Sequence, residues 1–231
     1  MKLKEFEEQL ISRGLQPDSF EVYEKLLRRV RGGDSMRLQH CRVTAVKFPD
    51  GNYQQAAELL NWGMKQYNAE ASWYDLMSGH QSLGFIYERA GQYQEAYEEF
   101  LKADQSLQPP APETYHTELA GSLMWARLHM DDFSYSPQLE EHYNTFQKAD
   151  SFLRMLKSNL VRQPVCEIVI HLHYGRRQEA KDAYKNAVTV QTEGFVGPLT
   201  GLLARHMAAD LCGITPECKR FLRKMAFYFL I

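Results

Sequence analysis

Residues Leu83 to Asp104 read LGFIYERAGQYQEAYEEFLKAD, and this stretch decides the fold. In its first half Leu83, Gly84 and Tyr87 recur on one face at helical spacing. In its second half Ala96, Phe100 and Ala103 do the same. Ala90-Gly91 between them is a tight turn. The pattern predicts two amphipathic helices folded back on one another. Gly84, Ala96 and Ala103 are small enough to let the helices approach closely, and Tyr87 and Phe100 fill the space that remains.

Working outward, the same signature returns. Gly51-Asn-Tyr-Gln-Gln-Ala56 echoes Gly91-Gln-Tyr-Gln-Glu-Ala96 at a distance of 40 residues, with Leu60 in the Phe100 place and Gly63 in the Ala103 place. A third, altered copy runs from Thr117 to Asp150. It puts Leu123 in the Leu83 register, replaces Gly84 and Tyr87 by Met124 and Arg127, inserts a loop at 133–137, and closes on Phe146-Gln-Lys-Ala-Asp150. A fourth copy carries Ile168, Ile170 and Leu172 after Pro164, turns at Gly175, and ends on Ala180, Tyr184 and Ala187.

The set Leu83, Gly84, Tyr87, Gly91, Ala96, Phe100 and Ala103 resembles a tetratricopeptide repeat. His80 stands where that family places Trp, and the terminal proline comes one residue late, at Pro109. The copies are longer and less even than the family's period of about 34 residues. The resemblance implies an all-α fold: a right-handed superhelix of antiparallel helical hairpins, an α-solenoid with irregular repeats.

The flanks read as helix too. Residues 2–13 carry Leu3, Phe6, Leu10 and Ile11 on one stripe, closed by Gly14. Asp18 or Ser19 caps a second helix with Phe20, Tyr23, Leu26, Leu27 and Val30. Arg28, Arg29 and Arg31 sit at its C-terminal end, where the helix dipole favours positive charge. Gly32-Gly33 breaks the chain, and a third helix is expected over 37–48, stopped by Pro49. The organisation expected is an N-terminal capping pair over 1–36, hairpins over 37–190, and C-terminal helices over 191–231 ending in an apolar tail, all in one continuous domain. No strand pattern competes.

Apolar residues make up 44% of the chain and charged ones 24%, with a net charge of -2. That balance argues against a nucleic-acid partner, which calls for a strongly basic surface. No apolar run reaches the roughly 18 residues of a membrane helix, and MKLKEFEEQL lacks the apolar stretch of a signal peptide. Cys41, Cys166, Cys212 and Cys218 form no C-x-x-C pair, so buried thiols in a reduced, cytoplasmic protein are expected.

The residues offer little chemistry. Glu167 and His171 are four apart, which is metal-ligand spacing, but His173 then faces away. There is no G-x-S-x-G elbow, and Gly32-Gly33 is not followed by the Lys-Ser/Thr of a phosphate loop. The adjacent carboxylates Glu7-Glu8, Glu98-Glu99 and Glu140-Glu141 point apart on a helix and read as solvated faces. The expectation is a protein without catalytic activity, metal or cofactor.

The resemblance also implies where binding occurs: on the concave face, lined by the first helix of each repeat. That register offers Gln81, Phe85, Glu88 and Arg89, then Gly121, Trp125, Leu128 and His129, then Val165, Val169, Leu172 and His173. Phe85, Trp125 and Val169 form an apolar column; Arg89, His129 and His173 form a basic or titratable one. Aromatic anchors beside a cationic edge suit another protein or peptide, although the same aromatics would serve equally as core between hairpins. Gln81 and Phe85 replace the Lys and Asn with which some members of the family clamp a C-terminal carboxylate, so no such clamp is expected. The alternatives are an inhibitory or immunity-type binding protein, the sensor half of a regulator, a metal-dependent enzyme around Glu167, His171 and His129, and a homodimer through Phe227 to Ile231.

Overall fold

The computed structural model describes residues 1–68, 71–130, 135–147 and 166–189. Every regular element among them is a helix. The chain divides into two compact units, Met1–Ala111 and Pro112–Ile231.

The first unit holds α1 (Leu3–Arg13), α2 (Ser19–Leu27), α3 (Gly33–Ala45), α4 (Tyr53–Gln66), α5 (Trp73–Arg89) and α6 (Tyr93–Gln105). Helices α1 and α2, α3 and α4, and α5 and α6 pack as neighbours, and α5 also packs on α3 and α4. The opening stretch folds as its pattern predicts. Leu83, Ala96, Phe100 and Ala103 are fully buried, and Gly84 lies under the Phe100 ring: a Cβ added there would sit 2.4 Å from its Cε1. Gly91 closes α5 with a left-handed φ of 76°. The Gln92 amide donates to the Tyr87 carbonyl and the Gly91 amide to that of Glu88, so the turn satisfies carbonyls that the helix end leaves open.

The echo is structural as well. Gly51 also has a positive φ, 97°, and Ala56, Leu60 and Gly63 are buried like their counterparts. The close approach in this hairpin is Gly63 against Cys41, whose Sγ lies 2.7 Å from where a Cβ would stand. Hydrogen bonds then tie one hairpin to the next at the repeat distance. Ser35 donates to Asp75 at 3.1 Å across 40 residues, and the Leu15 amide donates to Gln55 at 3.1 Å, also across 40. Ser35 and Asp75 are each the third residue of their helix, so α3 and α5 start level and run parallel.

Helix α3 begins at Gly33, not at 37, and the expected boundary after residue 36 falls inside it. Gly32 (φ 107°) and Gly33 (φ 72°) turn the chain sharply, and helix follows at once, closed across its first turn by Arg37 on Asp34 at 2.6 Å. Its α-helix ends at Ala45. Lys47 and Phe48 then donate to Thr44 and Ala45 in a tightened last turn before Pro49.

The second unit holds α7 (Glu113–His129), α8 (Pro137–Gln147), α9, described over residues 166–173, and α10 (Arg177–Thr189). Helices α7 and α8 pack together. The fully inward residue of α7 in the Leu83 register is Met124, with Leu123 only half-buried. Ile168, Val169 and Ile170 are consecutive and all buried, so α9 is covered on more than one side. At Gly175 (φ 67°) the turn repeats the bonding seen at Gly91: Arg176 donates to the His171 carbonyl and Gly175 to that of Leu172. Ala180 follows, fully buried. The closing Ala149 and Asp150 of the third copy, the side chains of Phe146, Tyr184 and Ala187, the helices expected after residue 190 and the tail Phe227 to Ile231 lie outside the described residues.

Candidate functional site

The expected groove residues are placed as follows. On α5, Gln81 and Glu88 are half-buried, and Phe85 is half-buried with its ring edge-on to Phe100 at 5.3 Å. Arg89 is exposed but engaged: it pairs with Asp50 and lies over the Tyr53 ring at 5.3 Å. That bond and a second one from the Tyr53 hydroxyl hold the Asp50 carboxyl below its usual range. On α7, Trp125 is only 8% exposed and packs edge-on against His129; the Leu128 side chain is outside the described set. On α9, Val169 is 2% exposed. Trp125 and Val169 are therefore core positions, and little of either is open to a ligand. His173 is exposed and stacks flat on Tyr135 at 3.6 Å.

The adjacent carboxylates correct the expectation of solvated faces. In each pair one member is solvent-exposed and the other joins helices. Glu7 Oε1 accepts from the Tyr23 hydroxyl at 3.0 Å and the Thr44 hydroxyl at 3.3 Å, and meets His40 Nδ1 at 3.0 Å, so one oxygen gathers α1, α2 and α3. Glu99, 8% exposed, meets His80 Nδ1 at 2.7 Å and Lys102 Nζ at 2.6 Å. Burial pushes its carboxyl up, but the bonds from His80 and Lys102 outweigh this and bring it below the usual range. His80 thus sets a polar ring beside a buried acid. Glu140 accepts from Tyr135 and, at 2.7 Å, from Tyr174, and those two bonds depress its carboxyl. These partners are 16 or more residues away on other elements, except Lys102 and Tyr135, and no short motif announces them.

The structure opens a cleft nearer the start of α5 than the expected groove residues, over Tyr74 to Ser78. Parallel α3 and α5 leave a space of about 60 Å3 between Leu38, Gln39 and Arg42 on one side and Tyr74, Asp75 and Ser78 on the other. The Asp75 carboxylate is held by three donors: Ser35 Oγ at 3.1 Å, the Ser72 amide at 3.0 Å and Ser72 Oγ at 2.8 Å. This is the capping box of α5, and it fixes that wall. Tyr74 is 44% exposed at one end, and Val46, one helical turn beyond Arg42, is 41% exposed. A larger hollow of about 220 Å3 lies between α1 and α2, lined by Phe6, Leu10, Pro17 and Val22. Its loop is already self-bonded, with the Gln16 amide donating to Ser19 Oγ at 2.6 Å.

For metal chemistry, His171 Nε2 stands 3.8 Å from Glu167 Oε1, and its Nδ1 is buried without a hydrogen-bond partner. Among the described residues no group of three His, Cys, Asp or Glu side chains comes together. Cys41 and Cys166 are buried thiols, and burial raises the Cys41 thiol far above its usual value. None of the described helices is long and apolar enough to cross a membrane. No family model, no curated protein and no solved structure matches the chain.

Proposed function

We propose that this chain is a tetratricopeptide-like helical-repeat protein that binds another protein or peptide between the first helices of its hairpins, without catalysing a reaction, in the cytoplasm. The observation that carries the reading is the repeat itself. Two hairpins share the same turn glycine and the same buried alanine five residues on, each is closed by a glycine packed against its partner helix, and their first helices lie side by side one repeat apart. Such stacking leaves a row of clefts between successive first helices, which is how helical arrays present a binding surface. In the first unit that cleft is bounded by Gln39, Arg42, Tyr74 and Ser78.

Affinity capture from an extract of the source cells tests this. The wild type is compared with a Gln39→Ala/Tyr74→Ala variant, and circular dichroism verifies that both are folded. A protein retained by the wild type and lost by the folded variant supports the reading. Equal capture by both, or none by either, overturns it.

A further inference from the structure

The cleft between α3 and α5 has a chemical preference that the general reading leaves open. The first unit has two half-buried cations, Arg37 and Arg42. Arg37 is engaged, on Asp34 at 2.6 Å and on the Leu27 carbonyl at 3.3 Å. The Arg42 side chain, in the wall of the cleft, has no hydrogen bond or ion pair with any of the described residues. Asp75 across the cleft does not supply one, because its carboxylate is taken up by Ser35 and Ser72.

A half-shielded guanidinium is a strong donor to a planar acceptor and gains most from a bidentate carboxylate. The space beside it is small, about 60 Å3. A carboxylate group fits there beside the guanidinium. Exposed Tyr74 and Val46 offer apolar surface on either side. We propose that this cleft takes an aspartate or glutamate side chain from an extended segment of another protein, with Arg42 pairing its carboxylate and Tyr74 and Val46 packing its apolar neighbours. This rests on the peptide-binding reading above and adds the chemistry of the ligand.

The test is selection of linear peptides from a phage-displayed random library, in which the peptide has no free C-terminus, on the full chain. Enriched peptides are expected to share an acid at a fixed position beside an apolar residue. Changing that acid to its amide should weaken binding at least about tenfold, as should Arg42→Gln, and the two changes together should cost no more than one alone. Arg42→Lys, which keeps the charge but not the fork, should fall between. Enriched peptides without a fixed acid, or binding lost in Tyr74→Ala but unchanged in Arg42→Gln and Arg42→Lys, would reject the acidic ligand and leave the cleft as the peptide site. If no peptide is enriched, the binding reading itself fails and this inference falls with it.

Discussion

Replacing Gly84 by alanine sets two helix effects against each other. In a helix interior the change is worth about 1 kcal/mol in favour of the folded state. Here the new Cβ would meet Phe100 at 2.4, 2.6 and 2.9 Å from three ring atoms. Phe100 is fully buried and wedged edge-on against Phe85, so it has nowhere to swing. Overpacking of this kind costs about 1–3 kcal/mol, and contact with a pinned ring belongs at the upper end. Gly79→Ala is the control. It earns the same propensity gain, but its Cβ would meet only the Met64 thioether, 2.9 Å from Sδ, at the far end of a flexible side chain. The difference between the two variants cancels the propensity and should be about 1–2 kcal/mol, Gly84→Ala being the less stable. Urea unfolding followed by tryptophan fluorescence measures it. Equal midpoints in the two variants would refute the Gly84–Phe100 contact as the lock of this hairpin.

Two further outcomes follow from the same geometry. Glu99 has a depressed carboxyl in the folded chain, so its stabilising contribution is present above the ordinary glutamate value near 4.5 and is lost as pH falls through the lower folded value. The gap in urea midpoint between wild type and Glu99→Gln should be full at pH 7 and should shrink below about pH 4; a gap independent of pH speaks against the His80 and Lys102 bonds. Gly91 has φ 76° with nothing within 4 Å of an added Cβ, so Gly91→Ala meets backbone strain alone. It should cost about 1 kcal/mol, and Gly91→Asn less, readable as a small fall in thermal midpoint.

The hairpins were legible because they are written locally. Gly91, Ala96 and Phe100 lie within ten residues of one another, and helical periodicity shows which face each occupies. The start of α3 was not legible, since Gly32-Gly33 signals a break but gives no sign that helix resumes immediately. Nor were the buried acids: Glu99 meets His80 across 19 residues, and adjacent glutamates look alike until the neighbouring helix selects one. The burial of the expected groove residues was not legible for a related reason. Phe85 and Trp125 have the chemistry of binding anchors, but each also packs against a neighbouring ring, which leaves Phe85 half-buried and Trp125 buried. The cleft that does open is formed by Arg42 and Tyr74, which the single-repeat pattern does not relate.

The ties between hairpins in the first unit reach about one repeat and no further: Leu15 to Gln55, Ser35 to Asp75, Asp50 to Arg89. The entropy of loop closure grows only with the logarithm of loop length, so each new hairpin docks for the same modest entropic cost as the one before. Low contact order of this sort favours fast folding by successive annealing of neighbours. During synthesis, α1 to α4 have partners for most of their bonds before α5 emerges, and the nascent chain need not wait for its far end to begin to fold.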